Sequence, residues 1–147
     1  MELGDEAMAR IGFAADSENE CVHAVREFIR TEHELVFPSE STVWTDMSRT
    51  VAESVVAGEI DYGVLMCWTG TGTAIAANKV RGVRAATAAD AWTARGARLW
   101  NDANVLALSL KRLAPDVAVE CVRAFLEQTE PDPEELPVIQ GLRDIDG

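Results

Sequence analysis

Short apolar runs of strand length alternate with stretches of helical spacing along most of the chain, and this alternation narrows its possible folds more than any other feature. Ala9–Ala15 reads as a buried strand closed by Asp16-Ser17, and Glu18–Arg30 carries Cys21, Val22, Val25, Phe28 and Ile29 on one helical face. His33–Phe37 reads as a second strand, broken by Pro38-Ser39, and Thr45–Ala57 as a second helix. Tyr62–Cys67 (YGVLMC) is continuous and apolar, and a turn at Trp68–Gly72 leads into a small-residue helix over Thr73–Lys79. Val83–Thr87, Ala89–Leu99, Asn104–Leu108 and Pro115–Gln128 complete the alternation, with Pro115 suited to a first helical turn. Apolar runs without polar alternation suit strands buried on both faces. The expected fold is α/β: a Rossmann-like three-layer sandwich around a five-stranded parallel sheet.

At 147 residues and 48% hydrophobic content, the chain has the size and apolar content for one domain with one core. Residues 1–128 are expected to form it. Residues 129–147 read as a separate arm, with three prolines and an excess of acids, that wraps across a neighbour or stays loose. From Glu127 to Gly147 there are seven carboxylates and one base, Arg143. The formal net charge of −12 repels phosphate backbones and anionic lipid, which argues against nucleic-acid and membrane partners. Met1–Met8 is acidic and lacks the apolar stretch of a signal peptide. Cys21, Cys67 and Cys121 fit neither a disulfide framework nor a zinc spacing. A cytoplasmic protein with reduced thiols, no metal and no cofactor is the expectation.

In doubly wound sheets, ligands bind beyond the carboxyl ends of the strands. The residues to watch are therefore Asp16 and Ser17, Cys67 to Gly72, and Asp90 to Trp92. Thr69-Gly70-Thr71-Gly72 between a strand and a helix lets backbone N–H groups converge on an oxyanion. It lacks the third glycine of a dinucleotide fingerprint and the Lys-Ser/Thr of a P-loop. On spacing alone, a tight turn that requires glycine explains it equally well.

The wider string is more specific. An apolar strand ending in Cys67, the T-G-x-G turn, Ile75–Lys79 (IAANK), Gly82–Ala85 (GVRA) and Asn101–Leu106 (NDANVL) occur in an order that closely resembles the RpiB/LacA/LacB family of sugar-phosphate isomerases. Ile11–Asp16 (IGFAAD) is similar to that family's first strand. The resemblance implies a Rossmann-like dimer or tetramer with sites at the subunit interface, interconverting aldose and ketose through an enediolate without metal. It implies Cys67 as the proton-transfer base and Thr69, Gly70, Thr71 and Gly72 as the cradle for the enediolate oxygen. It also implies that Asn101 and Asp16 lie near the substrate's oxygens.

Departures from the family cluster at these positions. Ser17 stands where a histidine usually follows the aspartate, Trp100 where a histidine precedes Asn-Asp, and Trp68 where glycine follows the cysteine. Val43-Trp44-Thr45 replaces an Asp-Tyr-Pro stretch, and the family's arginine-rich C-terminal segment is here acidic. Arg112 is the remaining candidate anion partner, with a surface arginine as its plain alternative. Ser17, Trp44, Trp68, Trp100 and Arg112 are thus expected to shape substrate binding. His23 and His33 read as surface residues, and Cys21 and Cys121 as core. Three functions follow in order of preference. The first is an isomerase acting on a non-cyclic or non-phosphorylated substrate, and the second a half-active or non-catalytic subunit of a heteromer with a second family member. The third is a small-molecule binding protein with a tryptophan-lined cavity.

Overall fold

The computed structural model describes residues 8–147. Five strands run parallel in the order β2-β1-β3-β5-β4: β1 (Arg10–Ala15), β2 (Glu34–Val36), β3 (Tyr62–Cys67), β4 (Ala85–Thr87) and β5 (Val105–Ser109). The helices are α1 (Glu20–Glu32), α2 (Trp44–Val56), α3 (Thr71–Ala77), α4 (Ala91–Asn101), α5 (Pro115–Glu127) and α6 (Leu136–Asp146). The expected sandwich is therefore the observed one.

Alternate residues of each central strand feed two different cores. Ile11, Phe13, Val64, Met66, Leu106 and Leu108 pack against α1, α4 and α5. Ala14, Leu65 and Val105 pack against α2 and α3. A strand buried on both sides has no polar alternation to show, which is why these segments read as plain apolar runs. Asn19 caps α1 by accepting from Val22 N–H at 2.9 Å, and its amide donates to the Leu110 carbonyl at 2.8 Å. The α1 N-terminus is thereby fixed to the end of β5. Asp90 caps α4 through Thr93 N–H at 2.7 Å, and these bonds hold its carboxyl below the usual range.

Two expectations shift. β4 begins at Ala85 rather than Val83, because Val83 N–H closes a turn onto Val80 and Arg84 N–H bonds the Asn104 side chain. The acidic arm is helical: Pro133–Glu135 forms a 3₁₀ turn and α6 follows. Asp132 N–H bonds the Leu99 carbonyl at 2.8 Å, and Asp146 accepts from Gly82 N–H at 2.8 Å, so the arm is held to its own domain at both ends.

Arg98 joins that arm to the core. Its side chain is 3% exposed and lies over the Tyr62 ring at 4.9 Å. It donates to Asp102 and to the carbonyls of Ala103, Gln128 and Thr129. Arg98→Ala strands these acceptors and is expected to lower stability by about 3–5 kcal/mol. Urea unfolding reads this as a lower midpoint with an unchanged slope; a midpoint equal to that of the parent would refute it.

Candidate functional site

Cys67 closes the middle strand and is 5% exposed. Its neighbours are fixed by the sheet register, which pairs Ala15 with Met66 and Cys67 with Ser109. Asp16 N–H extends the β1 ladder onto the Met66 carbonyl, and Leu110 N–H bonds the Cys67 carbonyl at 2.9 Å. Ser109 Oγ donates to the Trp68 carbonyl at 2.6 Å and accepts from Arg112 N–H at 2.9 Å. The turns after β1, β3 and β5 are thus tied together at one end of the sheet.

The turn after Cys67 folds back over the sulfur. Gly70 has φ +80° and caps α3, a conformation that a side chain resists. A Cβ there would also lie 3.0 Å from the Leu108 carbonyl carbon. In that conformation Gly70 N–H donates to Cys67 Sγ at 3.3 Å. Thr73 Oγ1 lies 3.4 Å from the same sulfur. Thr69 and Thr71 share a hydroxyl contact of 2.6 Å, and Thr71 N–H donates to Thr69 Oγ1 at 3.3 Å. α3 starts at Thr71, two residues earlier than the spacing suggested, because Gly70 supplies the cap. The Trp44 ring, at the start of α2, lies against Gly72, where a Cβ would approach it to 3.0 Å.

These elements enclose an open cleft of about 450 Å³ lined by Asp16, Trp44, Cys67, Trp68, Thr69, Thr71 and Gly72. Asp16 Oδ1 is buried with no hydrogen-bond partner, and desolvation raises the carboxyl's pKa against the opposing bond from Ser17. Trp68 is 58% exposed at the rim, and Lys111 Nζ sits 4.5 Å from its ring centroid. Among the described residues, no imidazole lines the cleft. His33 accepts from Ala9 N–H at the far end of β1, and its burial lowers its pKa.

Seven of the twelve expected site residues therefore line one cleft, with Gly70 behind it and Ser17 beside Asp16. The other three are neither in its lining nor beside it through their side chains as expected. Arg112 joins through its backbone N–H, while Lys111, a position with no sequence signal, reaches the rim. Trp100 and Asn101 stand at the C-terminal end of α4, beside the amino ends of the strands. The eleven residues of α4 span about 16 Å, which separates these two from the Cys67 end in the same chain. Trp100 folds over Gly96 and packs edge-on against Trp92 at 5.3 Å.

A family model described as Ribose/Galactose Isomerase matches residues 11–135. The ribose-5-phosphate isomerase B of Escherichia coli is 34% identical over 125 residues, covering 81% of this chain and 84% of that protein. The D-erythrulose-4-phosphate isomerase of Pectobacterium atrosepticum is 39% identical over 88 residues, covering 60% of this chain. The chain spans less than two thirds of the length of this and another curated relative it matches, 58% and 59%. A solved ribose-5-phosphate isomerase B of Clostridium thermocellum superposes with a TM-score of 0.86 at 31% identity, covering 93% of this chain and 97% of that one.

Asp16 yields a prediction whose sign is fixed by its burial. Because folding raises its pKa, the folded chain favours the protonated carboxyl. That contribution to stability is present at low pH and is lost as pH rises through the folded-state titration. Asp16→Asn should therefore melt above the parent at pH 7, with the gain vanishing at pH values below the ordinary carboxylate range. A difference in melting temperature that does not vary with pH would show that ionisation of Asp16 is not its origin.

Proposed function

The chain belongs to the ribose/galactose isomerase family, and from that premise we propose that it shifts a proton between adjacent carbons of an acyclic sugar derivative, with Cys67 as the base. The observation that carries this reading is the thiol on the cleft, flanked by the Asp16 carboxyl and the Thr69–Gly72 turn. The Cys67 thiolate takes the proton from the carbon next to the carbonyl, and the electron pair moves onto the carbonyl oxygen to give an enediolate. The Thr69 and Thr71 hydroxyls, which line the cleft, are the donors to the developing oxyanion, since Gly70 N–H is held by the sulfur and Thr71 N–H by Thr69 Oγ1. Asp16, with a carboxyl that burial keeps protonated to higher pH, exchanges a proton with the substrate oxygens. Return of the sulfur-held proton to the neighbouring carbon completes the isomerisation.

An acyclic substrate follows from what the cleft contains. Opening a sugar ring needs a further acid and base, and no imidazole is present among the cleft's described residues. A four-carbon 2-ketose is too short to close a five-membered ring, and esterification of the terminal hydroxyl keeps the corresponding aldose open as well. The relative named D-erythrulose-4-phosphate isomerase acts, by its name, on a compound of this kind. Lys111 at the Trp68 rim supplies a cation for an anionic end. In deuterium oxide, the chain should exchange the hydrogen beside the carbonyl of D-erythrulose 4-phosphate, and Cys67→Ala should lower the rate by about 10²-fold or more. Undiminished exchange in that variant would remove Cys67 as the base. Turnover of erythrulose but not its phosphate would favour the non-phosphorylated alternative.

Asn101 and Trp100 enter this site only from a second copy, since α4 carries them to the opposite end of the sheet. Co-expressed Cys67→Ala and Asn101→Ala chains should therefore regain activity that neither has alone. In a dimer with random pairing, one site in two is intact in half of the molecules, which gives about a quarter of parental activity. No recovery on mixing would place Asn101 outside the site. Recovery only with a different family member would favour the heteromeric reading.

A further inference from the structure

Thr73 is fully buried on the first turn of α3, out of reach of any substrate, yet its hydroxyl lies beside the one sulfur that faces the cleft. Its Oγ1 is 3.4 Å from Cys67 Sγ and also 3.4 Å from the Gly70 carbonyl oxygen. A hydroxyl has one proton to give. The Gly70 contact is long for an O–H···O bond, whereas 3.4 Å is an ordinary separation for a bond involving sulfur, so the hydroxyl is not locked onto the carbonyl. The Gly70 carbonyl has a second donor, Thr87 Oγ1 from β4, at 3.1 Å. It therefore keeps a partner when the Thr73 hydroxyl turns away.

We propose that Thr73 is a positioning residue for Cys67, a hydroxyl that rotates to satisfy the sulfur in both of its protonation states. When sulfur carries its proton, S–H donates to Thr73 Oγ1 while Thr73 O–H points to the Gly70 carbonyl. When sulfur is a thiolate, Thr73 O–H turns to it, joining Gly70 N–H, and Thr87 alone holds the Gly70 carbonyl. The proton taken from carbon rests on sulfur and goes back to carbon; none passes to Thr73, whose own O–H bond stays intact. The device aligns the sulfur for proton transfer without exposing a second acid to the substrate. The ordinary role of a helical threonine is a bond to a carbonyl one turn back, and it accounts for the Gly70 contact alone. The sulfur contact and the second donor at Gly70 go beyond it.

The inference rests on Cys67 being the base, but its test has a readout that does not need turnover. Thr73→Val keeps the shape and removes the hydroxyl, Thr73→Ser keeps the hydroxyl, and Thr87→Val removes the second donor at Gly70. The rate of iodoacetamide alkylation of Cys67 at fixed pH is measured for each, in Cys21→Ala/Cys121→Ala backgrounds, with kcat and KM for the isomerised ketose. Loss of one hydrogen bond to a charged sulfur should slow alkylation and kcat by about tenfold in Thr73→Val, with KM unchanged. Thr73→Ser should return both to near the parental values. Thr87→Val, which touches no sulfur atom, should slow alkylation by a smaller factor, because Thr73 is then held by Gly70. Parental alkylation in Thr73→Val, or a Thr73→Ser variant as slow as Thr73→Val, overturns the inference. Slowed alkylation in Thr73→Val together with undiminished exchange in Cys67→Ala would instead overturn only the assignment of Cys67 as base.

Discussion

The pairing of β3 between β1 and β5 is the constraint on which the site depends. Parallel register brings Asp16, Cys67 and Ser109 to one end of the sheet, and the Ser109 hydroxyl then ties the β5 turn to the β3 turn through the Trp68 carbonyl. β3 is buried on both faces, Val64 and Met66 in one core and Leu65 in the other. A shift of one residue would exchange these faces and move the thiol out of the cleft. Packing of the two cores therefore sets the position of the sulfur, and the turn residues refine it.

The strands were legible because burial on two sides writes itself as an uninterrupted apolar run, and β3 was found to the residue. Helix starts were less legible than strands: α1, α3 and α4 begin at Glu20, Thr71 and Ala91, each two residues from the Glu18, Thr73 and Ala89 that spacing suggested, because periodicity marks a helical face while the caps at Asn19, Gly70 and Asp90 set the first residue. The C-terminal helix was hidden by its prolines. Pro133 and Pro137 fall in the first turns of their helices, where the missing N–H has no helical partner to lose.

The candidate site divides in the same way. Asp16 and the Cys67–Gly72 segment were readable because strand ends point to them. Lys111 and Arg112 are adjacent in sequence, and only the geometry of the turn selects Lys111 for the Trp68 face. Asn101 and Trp100 were expected at the site from their motif alone, and a helix running back along the sheet takes them away from the cleft of the same chain. Thr73 gave no signal, since a buried threonine in a small-residue helix reads as packing until its distance to sulfur is known.

Charge sharpens the question of substrate. A chain with a net charge of −12 presents an unfavourable field to an anion, and the acidic arm adds to it. A phosphate bound by several arginines would overcome that field easily; no arginine is among the residues lining the described cleft, and Lys111 stands over Trp68 at its rim. One lysine held over an indole is a point charge of modest strength, suited to orienting an anionic end rather than capturing it. In the proposed reaction the substrate is then held mainly at its reacting end, by the carboxyl, the threonines and the turn after Cys67. Trp44 and Trp68 supply the apolar walls. A short acyclic chain loses little by such an arrangement, because most of its length already lies against these groups.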